Sequence, residues 1–141
     1  MEHHLSNFLV PVSFPQTRTV IGPIQIITAT DGLFNHVDDE LPMWSGDGDR
    51  SVVVDIMFNT LFKASPVITI GLIGMDCDNS QNFRFWLKAT NVKSTGFTIE
   101  FTTWGTTHIA RAGVSWQAIG EIVSDPAKPK DRAIRTKNQK S

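Results

Sequence analysis

A chain of 141 residues has room for one domain of ordinary size. Its 40% hydrophobic and 19% charged residues lie near globular values, which excludes wholesale disorder, a collagen-like rod and a coiled coil. The net charge of −1 hides an asymmetry: residues 1–120 carry seven Lys/Arg against eleven Asp/Glu, and residues 121–141 carry six against three. An acidic body with a basic end does not make a phosphate footprint, so nucleic acid is not an expected partner.

In chain order, residues 1–22 come first and are the least regular. Phe8, Val10, Val12 and Phe14 alternate, but Pro11 and Pro15 demote the stretch to an N-terminal arm or an edge strand. The run from Phe8 to Val12 is too short for a membrane span, which needs roughly 20 apolar residues. It also lacks the basic flank of a secretory signal. Neither membrane insertion nor a leader is expected; cytoplasmic synthesis follows, with non-classical release left open.

From Ile24 to Ile119 the dominant period is two, which predicts an all-β domain over residues 23–123. After a strand over residues 24–28, Val52, Val54, Ile56 and Phe58 form one face of a second, opposite Val53, Asp55 and Met57. Residues 67–73 are apolar on both faces, which predicts a strand covered on each side. Phe83, Phe85, Leu87 and Ala89 alternate with Arg84, Trp86, Lys88 and Thr90; turn chemistry at residues 93–96 then returns the chain through Phe97, Ile99 and Phe101 as a hairpin. A last strand near residues 107–119 puts His108, Ala110, Ala112, Val114 and Trp116 on one face; the small apolar row Ala110, Ala112, Val114 and Trp116 suits close approach of subunits about an axis, and a plain sandwich core reads the same. Six strands separated by polar turns pack most economically as an antiparallel sandwich. From Ser124 onward the chain is basic, holds two prolines and has too little apolar surface to offset ordering entropy, so residues 124–141 are expected to form a flexible tail.

Catalytic chemistry has few starting points. His3 and His4 sit near the terminus, His36 falls in an acidic loop expected to be solvated, and His108 stands alone in the last strand. No GxSxG, HExxH or P-loop pattern occurs. Cys77 is a single cysteine, which leaves no disulfide and no zinc spacing. The Gly46-Asp47-Gly48-Asp49 run is not an EF-hand, because Val52 and Phe58 stand where the glycine and glutamate would be. Neither a cofactor nor a metal is expected. A binding surface is better supported: Trp44, Trp86 and Trp104 supply indole faces, while Arg84 with Asp47 and Asp49 supplies donors and acceptors. That combination suits a sugar, whose C–H groups lie on a ring and whose hydroxyls need fixed partners. Tryptophans in a core beside an ordinary ion pair would read alike.

The segments Phe62-Lys63-Ala64-Ser65-Pro66-Val67, Met75 to Arg84 with Ser80-Gln81-Asn82-Phe83-Arg84 at its end, Ser94-Thr95-Gly96-Phe97, Thr103-Trp104 and Val114-Ser115-Trp116 resemble, in order and spacing, the H-type lectin domain. That is the family of snail agglutinins and of the C-terminal domain of slime-mould discoidins, and the resemblance covers about residues 40–120. It implies a six-stranded antiparallel sandwich forming a homotrimer, with galactose or N-acetylgalactosamine held in clefts between subunits, a role in cell adhesion, and no catalysis. It further implies that Arg84 hydrogen-bonds the sugar, that Trp104 contacts it, and that the acidic partner comes from the loop holding Gly46, Asp47 and Asp49. Ungapped counting favours Asp47 and leaves Asp49 open.

Two departures bear on specificity. Gly105 stands where the animal lectins often carry a histidine, and Ala110 where they carry a tyrosine; both remove ring surface, which implies weaker binding or a different sugar. The alternative expectation is a protein–protein assembly module on the same sandwich that has lost sugar binding.

Overall fold

The computed structural model describes the backbone of residues 7–9 and all of residues 14–124. These form β1 (Asn7–Leu9), β2 (Gln16–Ile21), β3 (Ile24–Asn35), the short helix α1 (Pro42–Ser45), β4 (Arg50–Met57), β5 (Val67–Cys77), β6 (Trp86–Lys93), β7 (Gly96–Thr103) and β8 (Ile109–Glu121). The all-β sandwich predicted by the alternation is present. Its six expected strands are β3 to β8, and β1 and β2 bring the count to eight by adding one strand to each sheet.

The first sheet runs β1-β4-β7-β6 and the second β2-β3-β8-β5. Every pairing is antiparallel except that of β1 with β4, which is parallel. Residues 1–6 and 10–13 of the expected arm, and residues 125–141 of the expected tail, lie outside the described residues.

Period two decides what is inside. Val52, Val54 and Ile56 on β4, Phe97, Ile99 and Phe101 on β7, Ile27 and Ala29 on β3, and Ala112, Val114, Trp116 and Ala118 on β8 are all buried in one core between the sheets. Full burial of a side chain such as Ile99 or Phe101 contributes about 1.5–3 kcal/mol. Phe58, Phe62, Phe97 and Trp116 meet as tilted and edge-on rings at centroid distances of 5.0 to 5.9 Å. The β6–β7 hairpin closes tightly at Lys93 and Gly96. A Cβ on Gly96 would stand 2.0 Å from the Ile56 carbonyl oxygen, so only glycine fits there.

Three expectations need correction. The face of Ala110, Ala112, Val114 and Trp116, which also reads as a surface for close approach of subunits, is core: none of the four is more than 4% exposed. β5 is covered on its inner face only and forms an edge of its sheet, with Val67 and Ile73 on it 70% and 55% exposed. His36, expected in a solvated loop, is buried, because its Nδ1 accepts the Met43 N–H at 3.1 Å and so satisfies the entry to α1. Burial lowers its pKa to about 4.

Candidate functional site

Three connections meet at one end of the sandwich: residues 46–49 before β4, residues 78–85 before β6, and residues 104–108 between β7 and β8. The residue that ties the first and the last of them is Arg50. It opens β4 in the same inward phase as Val52, Val54 and Ile56, and it is 1% exposed. Its Nε donates to the Gly48 carbonyl at 2.8 Å, Nη1 to Pro42 and Met43 at 3.2 and 3.3 Å, and Nη2 to Gly105 at 3.1 Å. Burial pulls the guanidinium pKa down, and the charges of Asp47 and Asp49 oppose that shift. A buried cation is tolerable only with such partners.

Around this tie the 46–49 loop is shaped by glycines. Gly46 closes α1, its N–H bonding the Pro42 carbonyl at 2.9 Å, and a Cβ on it would stand 3.2 Å from Arg50 Cδ. Gly46 therefore serves loop packing. Gly48, at φ +79°, donates its N–H to the Gly105 carbonyl at 2.8 Å. Between them, exposed Asp47 accepts from His108 Nε2 at 2.9 Å. His108 Nδ1 lies 3.9 Å from Asp78, and the His108 ring stands edge-on to Trp44 at 6.4 Å. His108 is thus not the isolated residue expected from sequence, and it lies just before β8. Asp78 is itself held: the Ser80 backbone N–H, then the Ser80 hydroxyl, then nearby His108 keep its carboxyl below the usual range. Asp49 is exposed and acts on the cluster through its charge beside Arg50.

Arg84 enters from the second connection, just before β6. Phe85 packs toward the core, stacked on Phe101 at 5.5 Å and 10°, and the Thr103 hydroxyl bonds the Arg84 carbonyl at 2.6 Å. The backbone is therefore fixed on the C-terminal side of the side chain. The guanidinium lies over Gly105, where a Cβ would meet Nη1 at 3.3 Å, and Nη1 donates to Thr107 Oγ1 at 3.1 Å. Thr107 Oγ1 in turn donates to the Asn82 carbonyl. Gly105 has φ +66°, a conformation that L side chains rarely adopt. It is at once the seat of Arg84, the acceptor for Arg50 and the acceptor for Gly48. Trp104, immediately before it, is half-buried. Ala110 is 4% exposed within the sandwich, so the ring surface thought lost there is not part of this end's surface.

Arg84, Gly105, Asp47 and Gly46 therefore belong to one cluster, with Trp104 at its margin. Arg84 and Asp47 are linked through Gly105–Gly48 and through Thr107 and His108. Sequence reasoning missed Arg50, Thr107 and His108. Arg50 had a signal, its phase with Val52 and Val54; the other two depend on contacts between distant loops. Chemically, the cluster offers a five-donor fork of which Thr107 takes one donor, a carboxylate acceptor on a glycine loop and an indole, all suited to a neutral polyhydroxylated ring.

The profile of the H-type lectin domain matches residues 53–119, a span that includes Arg84, Trp104 and Gly105 and begins after the Asp47 loop. The chain is 40% identical over 93 residues to the "ATP synthase subunits region ORF 7" protein of Fuscovulum blasticum, covering 66% of this chain and 81% of that one. It is 36% identical over 63 residues to discoidin-2 of Dictyostelium discoideum, covering 43% of this chain and 24% of that one. The solved structure of recombinant discoidin II from Dictyostelium discoideum superposes with a TM-score of 0.60 at 23% identity, over 72% of this chain and 39% of that one, a likeness of fold. The chain thus spans well under half the length of these discoidins.

Proposed function

This chain belongs to the H-type lectin domain family, a family of carbohydrate-binding domains, and from that premise we propose that it binds galactose- or N-acetylgalactosamine-type residues at the Arg84 cluster, in clefts between subunits of a homotrimer. It acts by binding, not by catalysis. The observation that carries the reading is Arg84 itself: a half-buried guanidinium seated on Gly105, with its backbone pinned and most of its donors uncommitted. Asp47, bonded to His108 in the same cluster, is the acceptor in this reading, and Trp104, next to Gly105 in the chain, the ring face.

The outer face of the β2-β3-β8-β5 sheet supports the trimer. One cross-strand row reads Thr19, Ile26, Ile119 and Val67, and the next reads Thr17, Thr28, Gln117 and Thr69. Beyond these lies a groove of about 660 Å³ containing Gly32, Ile73, Gly74 and Gly113. A monomer gains nothing from exposed Val67, Ile73 and Ile21, at 70%, 55% and 63%; copies packing on this face would bury them. Three shallow sites on one assembly raise avidity by roughly 10²–10⁴ on suitably spaced glycans.

Calorimetric titration with galactose and N-acetylgalactosamine tests the site, alongside sedimentation for the assembly. Arg84→Ala should weaken binding by about ten- to a hundredfold, the value of a hydrogen bond to a charged group, with the thermal midpoint nearly unchanged; Trp104→Ala should weaken it too. A trimer that bound neither sugar would overturn the reading and leave an assembly module. If Arg84→Ala dissolved the oligomer, the residue would be structural.

A further inference from the structure

Trp86 is not used by the site above. It opens β6 on the outer face of the β1-β4-β7-β6 sheet and is 62% exposed. Leu87 and Phe85 on either side turn toward the core, so Trp86 leaves on the outer face, two residues along the chain from Arg84, which stands in the connection just before β6. A large indole left in water is unusual; Val53 and Met57 also lie on this outer face, but the residues beside Trp86 in the register are polar.

Its neighbours are the groups that hold sugar hydroxyls. In the register, Trp86 faces Thr102, and Thr102 faces Ser51; the two hydroxyls hydrogen-bond at 3.0 Å. One position along, Lys88 faces Glu100, whose Oε2 accepts from Thr90 Oγ1 at 2.8 Å. Trp86, Lys88 and Thr102 line a shallow pocket of about 230 Å³, smaller than the roughly 300–1,000 Å³ of a drug-sized site and suited to one ring. The pocket combines an aromatic floor, a cationic donor and a hydroxyl already oriented by its partner. A phosphate would be repelled by Glu100 and by Asp55 on the same sheet.

We propose that the Trp86–Lys88–Thr102 pocket is a second carbohydrate subsite, taking the penultimate sugar of a glycan whose terminal residue sits at Arg84. The inference rests on the carbohydrate reading of the Arg84 cluster and makes an oligosaccharide the ligand. The indole stacks on the C–H face of the second ring, Lys88 Nζ donates to its hydroxyls, and Thr102 Oγ1 exchanges a hydrogen bond with it.

Calorimetry with galactose, lactose and the β1→3-linked galactosyl-N-acetylglucosamine disaccharide tests this. At least one disaccharide should bind the wild type about three- to tenfold more tightly than galactose, the range expected for one aromatic contact. Trp86→Ala should remove that gain and leave galactose affinity, thermal midpoint and sedimentation unchanged; Trp86→Phe should keep part of it. The subsite is overturned if neither disaccharide gains over galactose, if Trp86→Ala weakens galactose and disaccharide equally, or if it alters the oligomer. If the wild type binds none of the three sugars, the carbohydrate reading itself falls and the subsite with it.

Discussion

Gly105 shows how much can depend on a residue without a side chain. Its φ of +66° and the guanidinium packed over it mean that any Cβ there faces both backbone strain, of about 1–2 kcal/mol, and a crowded Arg84. Gly105→Ala should therefore lower the thermal midpoint by a few degrees and weaken sugar binding through displacement of Arg84, as measured by melting and titration on one sample. The glycine in place of a histidine, legible in the sequence as lost ring surface, is in the fold a seat for the arginine. His36 is the other residue whose environment sets a measurable property. Its folded pKa of about 4 lies below the unfolded value of 6.5, so the unfolded chain takes up the proton first. The stability from its neutral ring is complete above pH 6.5, declines as pH falls from 6.5 through 4, and totals about 3 kcal/mol. His36→Asn, which keeps an acceptor for the Met43 N–H, should flatten that part of a stability–pH profile; an unchanged slope would assign it to other groups.

Among the elements, strands were legible wherever one face is buried, because alternation is then imposed by the core: residues 52–58 and 97–103 read directly, while the alternation from residue 83 starts three positions before β6, which runs Trp86–Lys93. The parallel pairing of β1 with β4 was not legible, since three residues carry no register signal and the partner is more than forty positions away. β5 read as covered on both faces because its outer residues are apolar, and a single chain leaves them exposed. At the candidate site, Arg84, Trp104, Gly105 and the Asp47 loop were legible from order and spacing. His108 was not, because Asp47 and Asp78 reach it from other loops. Arg50 links the two levels, since it begins a strand and fastens two connections. Arg50→Met should keep much of the aliphatic packing but take a donor from four carbonyls, of which Pro42 and Gly105 keep the Gly46 and Gly48 N–H groups while Gly48 and Met43 lose their partner. Stability should fall by about 3 kcal/mol and sugar binding should be lost together with it, in contrast to Arg84→Ala, which should separate the two; urea melts paired with titration distinguish the cases.

For the molecule as a whole, the two outer faces differ in chemistry: one sheet presents Ile26, Ile119 and Val67 beside Thr28 and Thr69, the other Ser51, Thr102, Lys88 and Glu100 beside Trp86 and Met57. Self-association on the first leaves the second free. Val67→Glu combined with Ile119→Glu should yield a monomer by sedimentation that still binds free sugar but has lost most of its hold on a glycan-coated surface, by about a hundredfold or more. A double variant that stayed trimeric would move the interface elsewhere. Finally, because Arg50 fastens the 46–49 and 104–108 connections before any ligand arrives, the pocket has no closing step to wait for. Capture should then proceed in a single exponential phase whose rate rises linearly with sugar concentration, and the differences between one saccharide and another should lie in how long each remains bound.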